Sequence, residues 1–501
     1  MKKRTKITLL FLFSLLLVFG CNLPTTKLYT PFPTPQKKFS ILPPDFTPDL
    51  TPEEYIGVPT PDAPHTLPSI EVDSEFYIVK SNDTLGIIAN KYGISLVALM
   101  EANQISDPDF ISPGQGITIP PPIIGEMGPS YKLIPNSELV DGPKNAGFDI
   151  FEYINQFDGQ ISLYREDVQG KELSGTEIVA MISNNYSVNP RLLVAILEFQ
   201  SGMLTTKQPL LDDTSFPMGL EDSHREGLFF QLAWAADTLN RGYYLWQSNG
   251  LSAFLTADGK LIPAHPEINA GTAAVQYLFA KLYDENSWRQ AISEVGFTQS
   301  FQQLFGNPFS WTVDPILPMG LRQPEMQLPF EEGVAWNFTG GPHGGWDNGS
   351  PWAAIDFAPK MEVLGCNSND AWVVAMSDGL IVYANDGMVI QDLDGDGYAQ
   401  TEWAVTYMHI SYENRVNVGT YLYAGDRIGH PSCEGGYSTG THVHIARRYN
   451  GVWIHADAEI PFLMDGWMAV GTGDQYGGSF SRGDQVVEVC NCQDEKNSIQ
   501  R

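Results

Sequence analysis

Gly440-Thr441-His442-Val443-His444-Ile445 carries two histidines one residue apart, in a run with the character of a β-strand. Successive side chains alternate along a strand, so His442 and His444 are expected to share one face while Val443 faces a core. Two imidazoles directed at one point can bind a metal ion or move a proton. An isolated pair of this kind can equally be two surface histidines, so the surrounding sequence is needed to distinguish a functional pair from a surface pair.

Histidines are concentrated in the C-terminal third of the chain, where six of the nine fall between His343 and His455. His343 sits in the glycine-rich run GPHGG, Asp356 in the strand-like run AIDF, and His409 in the run TYMHI. A catalytic zinc site takes three protein ligands and keeps a fourth position for water. A buried aspartate among apolar neighbours needs a partner, which a metal ion can provide. These residues therefore predict a metal site in an antiparallel β domain over residues 320–470, with strands near 372–376, 379–384, 402–410 and 441–448.

Three segments of this domain resemble zinc endopeptidases of the lysostaphin and β-lytic type. They are TGGPHGGWDNGSPWAAIDFAP, YMHI and VNVGTYLYAGDRIGHPSCEGGYSTGTHVHI. The resemblance implies that His343, Asp356 and His444 bind one zinc ion and that His442 acts as general base on the attacking water. It implies that His409 helps to hold or stabilise the oxyanion. Its implied substrate is the peptide cross-link of peptidoglycan.

Residues 75–121 predict a small unit of strand, two helices and strand. The string YIVKSNDTLGIIANKYGISLVALMEANQISDPDFISPGQGITIP resembles a LysM domain over its whole length. LysM domains bind glycans that contain N-acetylglucosamine, such as peptidoglycan. The implied groove residues are Asn82, Asp83, Thr84, Leu85, Gln104 and Ile105. Asp83 and Thr84 also fit as helix caps and can serve both purposes.

Residues 148–319 predict a helical domain, with helices at 176–184, 190–199, 226–241, 270–282 and 288–294. The stretch VNPRLLVAILEFQSG resembles the helix that carries the catalytic acid of lysozyme-like lytic transglycosylases. Gln200 stands where that family has a glutamate, and glutamine cannot donate a proton as a carboxylic acid does. Glu198 precedes it by two residues and points to another side of the helix. We therefore expect a non-catalytic domain, with glycan cleavage through Glu198 as the alternative.

The first 21 residues read as an export signal, with a basic start and an apolar run. The run Val18-Phe19-Gly20-Cys21 resembles the lipobox of bacterial lipoproteins, which implies lipidation of Cys21 and a membrane-anchored protein facing the cell wall. An ordinary signal peptide or an uncleaved anchor are the alternatives. Residues 22–74 are rich in proline and predict an extended linker, whose roughly 50 residues reach on the order of 150 Å. Residues 122–147 predict a second linker, and 471–501 a C-terminal tail.

The charge and cysteine content restrict the partners and the compartment. A net charge of −30 argues against a nucleic-acid partner, which needs a basic face. The four cysteines beyond Cys21 form an even set, which in an exported protein indicates two disulfides. Cys490 and Cys492 are close in sequence, so each is expected to pair with one of Cys366 and Cys433. A reduced or metal-binding set is the alternative.

The run Asp392-Leu393-Asp394-Gly395-Asp396-Gly397 resembles the start of an EF-hand calcium loop. The twelfth position of that loop should be glutamate and is Trp403 here. Asp-Gly pairs also form tight turns between antiparallel strands. We expect a hairpin turn, with bound Ca²⁺ as the alternative.

The sequence thus predicts a multidomain α+β protein: a βααβ LysM unit, a helical middle domain and an antiparallel β metallopeptidase domain. The expected activity is zinc-dependent hydrolysis of peptidoglycan cross-links at the cell envelope. A rival of another class is a non-enzymatic LysM lipoprotein that regulates other wall hydrolases. Such proteins have lost zinc ligands, whereas all five motif residues are present here.

Overall fold

The computed structural model describes residues 67–70, 73–207 and 215–501. All of these described residues belong to one compact unit. The expected lipobox with Cys21 and most of the first linker lie outside the described residues. Within the described part, no single helix has the length and apolar composition needed to cross a membrane. The two helices Leu85–Lys91 and Leu96–Ala102, which are bent by 106° relative to each other, meet that test only when taken together, and only by length and composition.

The LysM-like unit has the expected order of elements. They are β1 (Glu75–Ile78), α1 (Leu85–Lys91), α2 (Leu96–Ala102) and β2 (Gly116–Ile119). The two strands pair antiparallel, and both helices pack on a small apolar core. The hydroxyls of Thr84 and Ser95 cap the helices by accepting hydrogen bonds from the backbone N–H groups of Ile87 and Ala98. The prediction for this unit is confirmed.

Helices dominate the middle domain, as predicted. Its elements are β3 (Ile123–Ile124), α3 (Ile150–Ile154), α4 (Gln160–Leu163), β4 (Arg165–Val168), β5 (Lys171–Ser174), α5 (Gly175–Tyr186), α6 (Pro190–Ser201), α7 (Leu228–Gln247), β6 (Ala253–Leu255), β7 (Lys260–Pro263), α8 (Ala270–Leu282), α9 (Glu285–Ala291) and α10 (Phe297–Phe305). The five predicted helices are α5 to α9, with shifted ends for α7 and α9. A capping box between Ser174 and Glu177 starts α5, and left-handed Gly202 ends α6.

The segment predicted as a second linker, residues 122–147, is part of this domain, so that prediction is wrong. Strand β3 pairs in parallel with β7, and Ile134 and Leu139 are fully buried. Glu138 is also buried, with one carboxylate oxygen 3.1 Å from the guanidinium of Arg191. Proline and glycine indicated a connector, but the interspersed aliphatic residues supply enough apolar surface to join the core.

The C-terminal domain is built on antiparallel strands, as predicted, and its main sheet has nine of them. The strands of this part of the chain are β8 (Ala335–His343), β9 (Ala354–Pro359), β10 (Val373–Val374), β11 (Gly379–Asn385), β12 (Met388–Asp392), β13 (Trp403–Met408), β14 (Tyr421–Leu422), β15 (Arg427–Gly429), β16 (Val443–Tyr449), β17 (Val452–Trp453), β18 (Leu463–Met464), β19 (Trp467–Val470), β20 (Ser479–Arg482), β21 (Gln485–Glu488) and β22 (Ser498–Gln500). The order in the main sheet is β14-β11-β12-β13-β16-β9-β8-β22, with β17 paired to β16. Strands β10 and β15 form a separate pair.

The residues predicted as a C-terminal tail, 471–501, are folded into the domain. Strands β18 to β21 form a four-stranded antiparallel sheet, and β22 pairs with β8 in the main sheet. The side-chain amide of buried Asn497 donates hydrogen bonds to the carbonyl oxygens of Cys490 and Cys492. The tail prediction is therefore wrong, because these contacts depend on strand pairing with distant residues.

The cysteines pair differently from the prediction. The disulfides join Cys366 to Cys433 and Cys490 to Cys492, with Cα–Cα distances of 5.6 and 5.1 Å. Thr441 is hydrogen-bonded to both neighbours of Cys366 in the first disulfide. Its N–H donates to the carbonyl of Gly365, and its hydroxyl accepts from the N–H of Asn367. These bonds hold the 365–367 loop against the loop that contains Cys433. Neither disulfide ties the C-terminal residues to the rest of the domain.

The middle and C-terminal domains share a continuous interface. Trp403, Val452 and Ile454 of the β domain belong to the apolar core of the helical domain. Polar contacts surround this core, and one of them is the carboxylate of Asp237, which accepts a hydrogen bond from the N–H of Gly349 at 2.5 Å. Burial raises the pKa of Asp237 to about 6, and the nearby charge of Asp347 adds to this effect.

This interface makes stability depend on pH. The folded state holds a proton on Asp237 more tightly than the unfolded state does, so its contribution is complete below about pH 4 and is lost as the pH rises through about 6. We expect Asp237→Asn to remove this loss, and thus to be more stable than wild type above pH 7 by about 2 kcal/mol. Denaturant midpoints between pH 4 and 8 measure the difference. Asp158→Asn, at an exposed carboxylate, is the control; parallel profiles for Asp237→Asn and wild type would contradict the assignment.

Candidate metal and catalytic site

One sheet positions the predicted site residues. His444 on β16 lies directly opposite Asp356 on β9, and Met408 of β13 lies opposite His444 on the other side. His409 follows β13, and His343 is the last residue of β8. Neighbouring strands therefore deliver the side chains to one place, and these residues line the same cleft as His442.

Three donor atoms converge in the interior of this site. Nε2 of His343 and Nδ1 of His444 are 2.9 Å apart. Oδ1 of Asp356 lies 3.3 Å from each of these two nitrogens. All three side chains are buried, with at most 7% of each residue exposed. The set of two imidazole nitrogens and one carboxylate oxygen is typical of a catalytic zinc site.

The second nitrogen of each of these histidines is bound to the backbone. Nδ1 of His343 donates to the carbonyl of Gly341 at 2.8 Å, and Nε2 of His444 donates to that of Gly345 at 3.1 Å. Each ring carries one proton when neutral, so both facing nitrogens present lone pairs. Burial lowers the pKa of His444, which favours its neutral, ligand form.

Asp356 Oδ1 has no hydrogen-bond partner although it is buried. Burial alone would raise the pKa of Asp356, but the neighbouring His343 and His442 more than offset this and hold it well below its usual range. A charged oxygen and two imidazole lone pairs thus face one point without a donor between them. Buried groups of this kind need a compensating cation, so the residues fit a zinc ion.

His442 and His409 lie next to the three donor atoms. Nε2 of His442 is 3.8 Å from Asp356 Oδ1, while its Nδ1 donates to the carbonyl of Gly440 at 2.8 Å. The prediction that His442 and His444 share one face is confirmed by their common approach to this oxygen. The His409 ring lies 4.4 Å from that of His442, and its Nδ1 donates to the carbonyl of Glu434 at 2.9 Å.

His409 is held in its neutral form. Burial lowers its pKa to about 3, with smaller contributions from His442 and His444. Its proton is on Nδ1, so Nε2 is an acceptor. A neutral ring in this tautomer suits holding a water molecule or a substrate N–H better than donating to an oxyanion.

A glycine next to Asp356 gives the carboxylate its space. Gly340 on β8 pairs with Asp356, between two irregularities in the register of β8 and β9. A Cβ added at Gly340 would lie 2.3 Å from Asp356 Oδ2. Any larger residue at this position must therefore displace the carboxylate.

The five residues line a cleft of about 1470 Å³, to which both the helical and the β domain contribute. The sequence did not predict that the helical domain lines this cleft, because that contribution depends on how the two domains pack. It also missed Tyr476, whose ring stacks on His343 with centroids 4.2 Å apart. An aromatic residue within a glycine-rich run was the one signal for Tyr476, and the run fell in the predicted tail.

Glu198, the alternative catalytic residue, has a structural position. It is fully buried at the end of α6. Its carboxylate accepts hydrogen bonds from the N–H groups of Leu204 and Thr205 and from the Thr205 hydroxyl, at 2.9, 3.2 and 2.6 Å. These bonds hold the turn after α6, and Glu198 does not line the cleft of the histidines.

The predicted glycan groove of the LysM unit contains exposed residues and residues whose side chains are hydrogen-bonded within the unit. Asp83 accepts from the Tyr77 hydroxyl and the Lys80 N–H, and Thr84 caps α1. Asn82 and Gln104 are exposed and have positive φ angles of 71° and 54°. Ile105 is half-buried. The side chain of Leu85 is fully buried in the LysM core, and the place of this residue in the groove stays a prediction.

The acidic run begins at Asp392, the last residue of β12, and continues into the connection to β13; these two strands pair as a hairpin. The expected hairpin is therefore confirmed. Carboxylate oxygens of Asp392, Asp394 and Asp396 lie within 4.8 Å of one another. Each carboxylate accepts hydrogen bonds from N–H groups of the same loop. The alternative of bound calcium stays a prediction.

The close approach of Gly340 to Asp356 predicts the effect of one substitution. We expect Gly340→Ala to displace the carboxylate and to weaken zinc binding about 10- to 100-fold, as changes next to a metal ligand do. Competition with a chromophoric chelator measures the affinity. Gly86→Ala, where the nearest atom is 3.8 Å from the added Cβ, is the control. Unchanged affinity in Gly340→Ala would show that the carboxylate does not depend on this space.

Comparisons with known proteins cover most of the described chain. Residues 77–120 match the LysM domain, and residues 132–318 match the family described as LasA, N-terminal domain. Protease LasA of Pseudomonas aeruginosa strain PAO1 is 26% identical over 289 residues, which are 54% of this chain and 65% of LasA, slightly under two thirds of its length. The beta-lytic metalloendopeptidase of Lysobacter enzymogenes is 27% identical over 31% of this chain and 85% of its own.

Among solved structures, the deep-sea M23 metalloprotease pseudoalterin is 24% identical over 33% of this chain and 96% of its own, with a TM-score of 0.29. The family match places a second resemblance to LasA in the helical middle domain. The chain is therefore similar to LasA and to the beta-lytic metalloendopeptidases, and its residues 77–120 match the LysM domain.

Proposed function

We propose that this protein is a zinc metalloendopeptidase that hydrolyses peptide cross-links of peptidoglycan and is directed to the wall by its LysM domain. The observation that carries the proposal is the convergence of His343 Nε2, His444 Nδ1 and Asp356 Oδ1 on one point. His442 and His409 flank this point at the surface of a cleft. The homology to LasA and to beta-lytic metalloendopeptidases supports the same activity.

His343, Asp356 and His444 would hold the zinc ion. Zinc bound there supplies Lewis acidity, which lowers the pKa of water and polarises a carbonyl group. The backbone carbonyls of Gly341 and Gly345 keep both histidines in the tautomer that ligation requires. One zinc ion per chain is expected from this single set of donors.

His442 is proposed as the general base. Its Nδ1–H is bound to the carbonyl of Gly440, so the lone pair of Nε2 faces the cleft. A neutral imidazole in this tautomer can take a proton from the attacking water and return it to the leaving amine. His409 is proposed to position the reacting groups through Nε2, since its Nδ1–H is bound to Glu434.

The LysM domain is proposed to bind the glycan strands of peptidoglycan through Asn82, Asp83, Thr84, Gln104 and Ile105. We propose that export and lipidation of Cys21 hold the protein at the membrane, within reach of the wall. The sequence motif at residues 18–21 supports this part of the proposal.

The two rival activities receive less support. A regulator without activity is expected to lack zinc ligands, whereas all three donors converge here. Cleavage of glycan through Glu198 requires an accessible acid, and this carboxylate is buried in hydrogen bonds to its own loop. A calcium ion at Asp392, Asp394 and Asp396 would be separate from the zinc site and is no part of the proposed reaction.

The proposed roles predict different defects for two variants. We expect His442→Ala to lower kcat by about 10²- to 10⁴-fold while zinc remains bound, because a general base contributes on that scale. Asp356→Asn is expected to lose zinc as well as activity. New peptide termini, identified by mass spectrometry after digestion of purified peptidoglycan, and metal analysis provide the two measurements. His455→Ala, in the same domain but outside the cleft, is the control; cross-link cleavage at the wild-type rate by His442→Ala would refute the proposal.

Glycan binding is testable without disturbing the backbone of the LysM domain. Asn82→Gly and Gln104→Gly remove the exposed side chains but retain the positive φ angles, which glycine adopts readily. We expect the double variant to bind insoluble peptidoglycan about 30-fold more weakly than wild type does, from loss of two hydrogen bonds worth about 1 kcal/mol each. Co-sedimentation measures this. Asn249→Gly, also at positive φ but in the helical domain, should bind normally.

A further inference from the structure

The cleft that holds the histidine cluster has a second wall, contributed by the helical domain. This wall is formed by the start of α7 with Arg225 ahead of it, and by the β4–β5 hairpin with Lys171. Phe230 and Trp234 of α7 line the cleft, and Phe230 is half exposed. Exposed aromatic side chains facing a catalytic cleft indicate a surface that contacts a ligand.

Residues further along the same face of α7 fix the position of this wall. Phe230, Trp234, Asp237 and Arg241 follow one another at intervals of four, three and four residues and so share one face of α7. The guanidinium of Arg241 donates to the carbonyl of Asn348 at 3.0 Å, one residue before the Gly349 N–H that binds Asp237. This face of α7 is thus anchored to the loop that follows His343, and its aromatic part is pre-organised beside the cleft.

The charge of the wall is opposite to that of the chain. The charged residues that the helical domain contributes to the cleft lining are Lys171 and Arg225, both cationic, in a chain of net charge −30. Lys171 contacts Asp386 of the β domain at 3.5 Å. Arg225 has an ion pair with Asp222 at 3.4 Å, in which both side chains are about 40% exposed or more. Exposed pairs of this type contribute little, so a ligand carboxylate can compete for the guanidinium.

We propose that the helical wall is a binding surface for the acidic stem peptide of peptidoglycan, with Arg225 holding a carboxylate and Phe230 and Trp234 packing against the peptide. This inference rests on the proposed function and assigns it a specificity determinant outside the β domain. Charge complementarity favours a peptide over a glycan chain, because the amino sugars of a glycan strand have no comparable carboxylate on every unit while stem peptides carry free carboxyl groups. The non-catalytic helical domain thereby gains a role in substrate choice.

A matched pair of substrates tests the proposal in the zinc-loaded full-length protein. The two cross-linked peptides are identical except that one carries a free carboxyl group and the other a carboxamide at that position. We expect wild type to prefer the carboxylate about fivefold in kcat/KM, through KM, and Arg225→Gln to bring this ratio close to one. Arg165→Gln, at an exposed arginine outside the cleft, should keep the wild-type ratio. Trp234→Ala is expected to raise KM for both peptides.

A direct binding measurement separates this proposal from the proposed activity. His442→Ala with zinc bound should bind the carboxylate peptide about fivefold more tightly than the carboxamide peptide, and adding Arg225→Gln should remove the difference. If wild type cleaves both peptides with equal kcat/KM, the wall proposal is wrong while the endopeptidase assignment stands. If wild type cleaves neither peptide but the binding difference appears, the wall proposal holds and the activity assignment fails. Weaker binding of peptide-free glycan strands to Arg225→Gln would overturn the choice of a peptide ligand.

Discussion

Three lone-pair donors that face one another without a proton between them are the central constraint of this structure. Asp356 and His444 are partners in the register of β9 and β16, and His343 completes the set from the end of β8. Such a group is costly to bury unless a cation joins it. The central strands of the sheet, the register irregularities of β8 and the absence of a side chain at Gly340 all serve to place this one carboxylate.

The helical domain forms one wall of the cleft that contains these three residues. Its core continues into the β domain, and its longest helix is bonded to the loop that follows His343. Glu198, the alternative acid on the helix that resembles glycan-cleaving enzymes, stabilises a turn of its own domain. A domain with this attachment contributes to the shape and charge of the cleft.

The sequence predicted what depends on local pattern. Alternation along β16 predicted the common face of His442 and His444, and helical periodicity and caps predicted α5 to α9. Contacts between distant segments could not be predicted from the sequence. The pairing of Cys366 with Cys433, the packing of residues 122–147 and the approach of Tyr476 to His343 all depend on which loops meet in space. Residue types at those positions are compatible with several arrangements, so local chemistry alone does not choose among them.

The pairing of β22 with β8 affects when the site can form. The strand that ends in His343 receives its outer neighbour from residues 498–500, long after both strands with the other two ligands have been synthesised. Because synthesis starts at the N-terminus, His343, Asp356 and His444 are all present before β8 has a partner strand on each side. Sheet closure of this long-range kind is slow relative to local folding. The main sheet, which carries all three donor atoms, is therefore complete only after residues 498–500 have been synthesised and have paired with β8.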